Sequence, residues 1–331
     1  MQAAIVAGVV PALVTWAAIA ILRRSPLAAR LADHPNARSL HVVPTPRLGG
    51  LGIVVGVLPF ALYSVNGPIA LILTCALALS VVSLADDLRF LPPALRLAAH
   101  ALAAVATWVA LDVPGLPPGA GWIVGAIAVF SMVWVTNLFN FMDGADGLAG
   151  GMSAIGFLAY AIAALQAGQA PLALTCAALA GASLGFLAWN FPPARVFLGD
   201  AGSIPLGFLA AALGAWGVAR GAWPVAFPLI VFSPFIVDAT VTLVKRLIRR
   251  EKVWLAHRDH HYQRLVLAGW PTRRLALAAY ALMAAAAASA LVLARQGVML
   301  QCGIISFWLV MYVLLMISIG RKTRKTAETA Q

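Results

Sequence analysis

Carboxylates gathered at the ends of long apolar runs are the feature of this chain most able to do chemistry. They are the pair Asp86-Asp87, then Asp143 and Asp146 in Met142-Asp143-Gly144-Ala145-Asp146-Gly147, and Asp200 in Leu198-Gly199-Asp200-Ala201-Gly202-Ser203. Carboxylates beside arginines and histidines suit a hard divalent cation, Mg²⁺ above all, whose coordination is completed by phosphate oxygens and water. At a bilayer surface, such a site would act on a phosphate that is part of a lipid or attached to one.

Asp86 and Asp87 close one apolar run. As helical neighbours they point about 100° apart, so one can serve as a base while the other orients a cation or a phosphate-binding group. Ordinary solvation of a helix end beside Arg89 and Arg96 is the plainer alternative. In Asn137-Leu138-Phe139-Asn140-Phe141-Met142-Asp143-Gly144-Ala145-Asp146-Gly147, two amides and two carboxylates recur every third residue. On a helix that spacing places side chains on one face, and the glycines allow tight turns and close approach of a nucleotide or phosphate. Asn190 ends a later run. Asp200 precedes another, so N–H groups of a helix start lie close by and can bind phosphate oxygens. Asp200 is the metal-ligand candidate; the alternative is a helix cap, a task Ser203 is also able to perform.

The segment His257-Arg258-Asp259-His260-His261 offers donors for phosphate or sugar oxygens. Zinc is disfavoured because no cysteine set accompanies the histidines. Earlier in the chain, Arg38, His41 and Arg47 offer anion contacts in a proline-restricted loop, and Arg96 is grouped with them as a lipid-phosphate or anion contact. Asp238 lies roughly 10 Å inside the basic boundary at ~1.5 Å per helical residue. A carboxylate at that depth must face protein or water, as a structural pair or as part of a site. His100 reads as a hydrogen-bonded packing residue.

The elements that position these groups are membrane helices. The chain has 331 residues, of which 62% are hydrophobic and only 10% charged, a composition that excludes an ordinary soluble domain. Apolar runs of roughly the 20 residues needed to cross the hydrocarbon core occur at 3–22, 48–66, 68–85, 95–112, 121–141, 150–167, 170–190, 203–219, 223–244, 275–295 and 299–319. The expected fold is all-α: a polytopic bundle of about eleven transmembrane helices. Residues 1–320 form a single integral membrane domain and 321–331 a basic cytoplasmic tail. The first run is too long and too continuous for a cleaved signal peptide. With the N-terminus periplasmic and the C-terminus cytoplasmic, 21 of the 23 Lys and Arg fall inside, all but Arg220 and Arg295, as the positive-inside rule requires. The net charge of +12 is then matched to anionic membrane lipid, not to nucleic acid. Cys75, Cys176 and Cys302 are isolated and read as packing residues.

Together, these segments resemble the polyprenyl-phosphate N-acetylhexosamine-1-phosphate transferase family, also called glycosyltransferase family 4. The resemblance runs from about Asp33 to Arg264, and its most specific stretches are Asn-x-x-Asn-x-x-Asp-Gly-x-Asp-Gly and Phe-Leu-Gly-Asp-Ala-Gly-Ser. It implies an enzyme that moves N-acetylhexosamine 1-phosphate from a UDP-sugar to undecaprenyl phosphate, with release of UMP. It implies a cytoplasmic-facing site in the bacterial inner membrane, and is compatible with a homodimer. It assigns Asp86 and Asp87 to the lipid-phosphate and catalytic centre, and Asp200 to Mg²⁺, or Mn²⁺ in its place. Asn137, Asn140, Asp143, Asp146, Asn190, His257, Arg258, His260 and His261 are assigned to the nucleotide-sugar. Arg258 and Asp259 interrupt the histidine run typical of the peptidoglycan branch, and Arg89 and Arg96 stand where that branch favours lysines. Both departures favour an O-antigen-type branch. A multispan transporter is the competing reading, but midplane ions would mark it, and these acids cluster in loops on one face. The acidic signature of a CDP-alcohol phosphotransferase is absent.

Overall fold

A computed structural model describes residues 2–35, 43–64, 67–113, 119–252 and 257–329. In chain order the elements are α1 (Gln2–Leu22), α2 (Pro26–Arg30), β1 (Ala32–Asp33), β2 (Thr45–Pro46), α3 (Gly49–Ser64), α4 (Pro68–Arg89), α5 (Pro93–Leu111), α6 (Ala120–Phe141) and α7 (Leu148–Gln166). They continue as α8 (Ala170–Asn190), α9 (Asp200–Ala219), α10 (Ala226–Val231), α11 (Ser233–Ile248), α12 (His261–Leu267), α13 (Thr272–Leu293) and α14 (Val298–Thr329). The expected helical bundle is what forms, and among the described residues nine helices are long and apolar enough to cross a membrane.

Two of the eleven expected crossings take another form. The run at 48–66 becomes α3, whose apolar stretch Gly49–Ala61 is shorter than a full span. The run at 223–244 is broken at Phe232 into α10 and α11. The cause is Pro234, which has no N–H to donate to the Ile230 carbonyl four residues back. Ser233 Oγ donates to that carbonyl instead, at 2.7 Å, and meets Tyr312 Oη at 2.6 Å. Helix α14 continues to Thr329, into the segment expected as the basic tail at 321–331. Cys176 is buried as a packing residue, whereas Cys302 is exposed on α14.

Helices α7, α8 and α9 form the interior of the bundle, while α14 is buried over only 11% of its span. Large apolar side chains such as Val109, Trp122, Phe130 and Leu309 point outward, as expected where the surrounding solvent is hydrocarbon. Interior helices approach through small residues. On α8, Gly181 and Gly185 stand one turn apart against the backbone of Gly8 and Ala12 on α1, a small-xxx-small contact of the kind membrane helices use.

The α3–α9 crossing matters most for the site. A Cβ built on Gly50 would lie 2.5 Å from Gly202 Cα, so Gly50→Ala must push backbone against backbone. Overpacking of this kind costs about 1–3 kcal/mol. We expect Gly50→Ala to lower the melting temperature in detergent by several degrees; an unchanged melting curve would refute this contact.

Candidate active site

The acid-bearing helix ends meet in one layer, tied together by backbone before any side chain is considered. Strands β1 and β2 pair antiparallel, with Asp33 opposite Thr45. The chain after β2 then runs alongside the α8–α9 loop: Phe197 N donates to Pro46 O, Gly49 N to Phe197 O and Gly50 N to Leu198 O, each at 2.9 Å. Asn190 joins this loop to the next one, its Nδ2 donating to Val196 O at 2.9 Å and its Oδ1 accepting from Gly147 N at 2.8 Å. Gly147 has φ +77°, a conformation suited to glycine, and Tyr280 Oη donates to its carbonyl at 2.8 Å.

Two arginines sit among the acids. Arg47 Nη2 donates to Asp33 Oδ1 at 2.7 Å and its Nη1 to Asp87 Oδ1 at 3.3 Å. Burial opposes the charge of Arg47, but Asp33, Asp87 and Asp200 outweigh it and raise the guanidinium pKa. Arg96 Nη1 donates to Asp86 Oδ2 at 2.7 Å and lies 3.9 Å from Asp200 Oδ2. Asp86 is fully engaged, because its Oδ1 also accepts from Leu91 N at 2.7 Å. Asp87 is not: its side chain is only 6% exposed, and its Oδ2 is buried without a hydrogen-bond partner.

Asp200 opens α9, with Gly199 (φ +73°) as the cap residue. The Gly199 carbonyl accepts from Gly202 N and Ser203 N, so the helix start does not rest on the carboxylate. Ser203 does not cap the helix with its side chain; its Oγ donates to Asn140 Oδ1 at 2.9 Å. The Asn140 side chain lies beside the Asp200 carboxylate. Asp143 follows the end of α6, and burial pushes its carboxyl well above the usual carboxylate range. Asp200 and Asp146 push in the same direction, and Arg47 partly offsets them. Asp146 Oδ2 accepts from Ala194 N at 3.0 Å.

The structure thus brings Asp86, Asp87, Asn140, Asp143, Asp200, Arg47 and Arg96 together. The spacing of three does not give one shared face: Asn140 meets α9 through Ser203, and the two acids that follow lie in the turn after α6 ends at Phe141. Asn137 turns towards α5: its Nδ2 donates to Val133 O at 2.7 Å and sits 3.3 Å from His100 Nδ1. Asn137 and Asn190, both expected at the nucleotide-sugar, therefore have amide groups committed to protein partners. Arg38 and His41 lie outside the described residues.

The histidine segment is seated by Asp238. Its carboxylate accepts from His261 N at 2.8 Å and Tyr262 N at 3.2 Å, the first N–H groups of α12, and lies 2.9 Å from His261 Nδ1. Tyr262 Oη donates to Phe141 O at 3.1 Å and packs on Gly144, where a Cβ would collide with it. The histidines are thereby held beside the Asp143 turn. His260 lies between the rings of Phe141 and Tyr262, with His257 4.9 Å from it. Burial lowers the His257 pKa, helped by His260 and Arg246. Arg258 is half-buried in the same segment, and Asp259 pairs with Arg246. Asp238→Ala would leave four donors without their acceptor, since Thr242 Oγ1 also donates to Asp238 Oδ1 at 3.2 Å. We expect faster amide exchange over residues 257–267 than over α13; unchanged protection would remove Asp238 from this role.

Among the described residues, no three carboxylates, imidazoles or thiols form a ready metal cage. Mg²⁺ rarely uses one, since it is held by one or two carboxylates together with waters and substrate phosphates. Asp200 fits that description: a carboxylate oxygen donor, with the Arg96 guanidinium 3.9 Å away and Arg47 nearby to neutralise further anion.

The profile of glycosyl transferase family 4 matches residues 69–217, which contain the acids of this layer. A probable undecaprenyl-phosphate N-acetylglucosaminyl 1-phosphate transferase of Bacillus subtilis is 30% identical over 315 residues, covering 91% of this chain and 88% of the relative. The chain belongs to glycosyl transferase family 4. A decaprenyl-phosphate N-acetylglucosaminephosphotransferase of Mycobacterium tuberculosis is 30% identical over 82% of this chain and 78% of its own length. A phospho-N-acetylmuramoyl-pentapeptide-transferase of Picosynechococcus is 32% identical over 79% of this chain and 78% of its own.

Sequence reasoning singled out most of the residues that gather in this layer but did not single out Asp33, Tyr262 or Tyr280, whose signals are ordinary in isolation. Asp238 did carry a signal, its depth in an apolar run.

Proposed function

We propose that this protein transfers N-acetylhexosamine 1-phosphate from a UDP-sugar to undecaprenyl phosphate. The products are UMP and the first lipid-linked intermediate of a cell-surface polysaccharide of the O-antigen kind. The observation that carries this reading is the layer in which Asp87, with one unpartnered oxygen, stands with Asp200, Arg47 and Arg96. Two near-full-length relatives named as N-acetylglucosamine phosphate transferases support the sugar class, and Arg258 and Asp259 in the histidine segment favour a substrate without a pentapeptide.

An oxygen of the lipid phosphate attacks the sugar-linked phosphorus of the UDP-sugar. The bond from that phosphorus to the bridging oxygen breaks, and UMP leaves with the electron pair. Positioning and charge stabilisation are what a protein contributes to such a transfer. Arg96, held by Asp86, and Arg47, held by Asp33, receive phosphate oxygens. Asp87 orients the lipid phosphate and takes its proton. Asp143, Asp146 and the histidine segment face the nucleotide-sugar. A divalent cation at Asp200, Mg²⁺ or Mn²⁺, supplies Lewis-acid stabilisation of the diphosphate when bound.

An apolar groove of about 300 Å³ between α3, α4 and α9 ends at Gly50, Ala201 and Gly202, beside the acid layer. It offers the isoprenoid chain an apolar bed. The water-soluble UDP-sugar and the distribution of basic residues support a site on the cytoplasmic face of the bacterial inner membrane. The test is UMP release by purified protein with undecaprenyl phosphate, Mg²⁺ and a panel of UDP-sugars. One or more UDP-N-acetylhexosamines should be turned over and UDP-N-acetylmuramoyl-pentapeptide should not. Silence with every sugar would overturn the proposal.

A further inference from the structure

Behind the histidine segment lies a second cavity, of about 490 Å³, bounded by α11, α12, α13 and α14. That volume is in the range of ligand pockets. Its walls are mostly apolar, with Phe235, Leu275, Met283 and Ile319 among them, together with Met142 and Leu148, which flank the Asp143 turn; Asp238 and His261 are polar parts of the lining. Asp87, Asp200, Arg47 and Arg96 do not line it.

The cavity also reaches Trp270 and Lys322. Trp270 is held between cations: Arg274 Cζ lies 4.3 Å and Lys322 Nζ 4.7 Å from its ring centroid. The indole Nε1–H of Trp270 is buried and has no acceptor. Arg264 joins this group from α12, its Nη2 2.6 Å from Thr323 Oγ1. Apolar walls under a cluster of cations and an unsatisfied N–H match one class of ligand, an amphiphile with an anionic head. One wall is α14, the least buried of the spans among the described residues.

We propose that this cavity binds an anionic diacyl phospholipid of the surrounding membrane. One chain lies between α11, α13 and α14, and the phosphate sits at Arg274, Lys322 and Trp270. The inference does not depend on the transfer reaction. It also has a consequence for the site: Asp238, His261 and Tyr262 are part of the same wall, so the lipid chain backs the residues that seat the histidine segment.

The test is native mass spectrometry of the detergent-purified full chain, offered equal amounts of phosphatidylglycerol and phosphatidylcholine. Wild-type protein should retain one phosphatidylglycerol in preference. At roughly fivefold per basic residue near a headgroup, the double variant Arg274→Gln/Lys322→Gln should bind it about thirtyfold more weakly. Ala279→Trp, which fills the cavity, should lose the adduct while keeping the wild-type elution profile. Equal retention of the two lipids, an adduct that survives both variants, or stoichiometric displacement by undecaprenyl phosphate would each overturn the proposal. The last result would give the cavity to the substrate instead.

Discussion

Asp200→Asn is expected to fold normally and to lose UMP release by about 10²–10³-fold, the size of effect seen when one preorganised electrostatic contact is removed from a transition state. Folding should survive because the start of α9 is held by the Gly199 carbonyl and by the Ser203–Asn140 hydrogen bond. The amide keeps the shape of the carboxylate but not its charge, so Mn²⁺ affinity read by electron paramagnetic resonance should fall together with turnover. Near-normal turnover, or lost turnover with unchanged Mn²⁺ affinity, would remove Asp200 from the metal role.

The second large effect is expected at Asp87. A buried carboxylate oxygen without a partner costs stability, so Asp87→Asn should leave the melting temperature unchanged or raise it. It should also lower kcat by about 10²–10⁴-fold, the usual contribution of a positioned base. Asp86→Asn should behave differently. It loosens the anchor of Arg96, so its main effect should be a higher KM for the lipid phosphate. If the two variants share one kinetic signature, the separation of base from anchor is wrong.

The bundle was legible in the sequence because crossing a hydrocarbon layer requires long apolar runs, and such runs are hard to disguise. The break between α10 and α11 was harder to see. It is written in Ser233-Pro234, but its flanks are as apolar as the rest of the run, so hydropathy passes over it. The acid layer was legible in part, since Asp86, Asp87, Asp143, Asp146 and Asp200 are costly anywhere except at a site or a helix end. Which partner each group takes was not legible. Arg47 bridges Asp33 and Asp87, Asn190 joins Gly147 to Val196, and Asp238 caps α12. All of these depend on packing between residues distant in sequence. Local spacing also misled at Asn137 and Asn140: three residues apart, they face different helices because α6 is clasped by α5 on one side and α9 on the other.

In the proposed reaction, the acid layer catalyses attack by a lipid phosphate on the sugar-linked phosphorus of a UDP-sugar. Two labelled substrates test it most directly: UDP-N-acetylglucosamine carrying ³²P either in the sugar-linked or in the uridine-linked phosphate, each incubated with the protein and undecaprenyl phosphate and then extracted into organic solvent. The sugar-linked label should move into the lipid fraction while the uridine-linked label stays in water as UMP. Both labels in the lipid fraction, or UMP formed with neither label there, would contradict it.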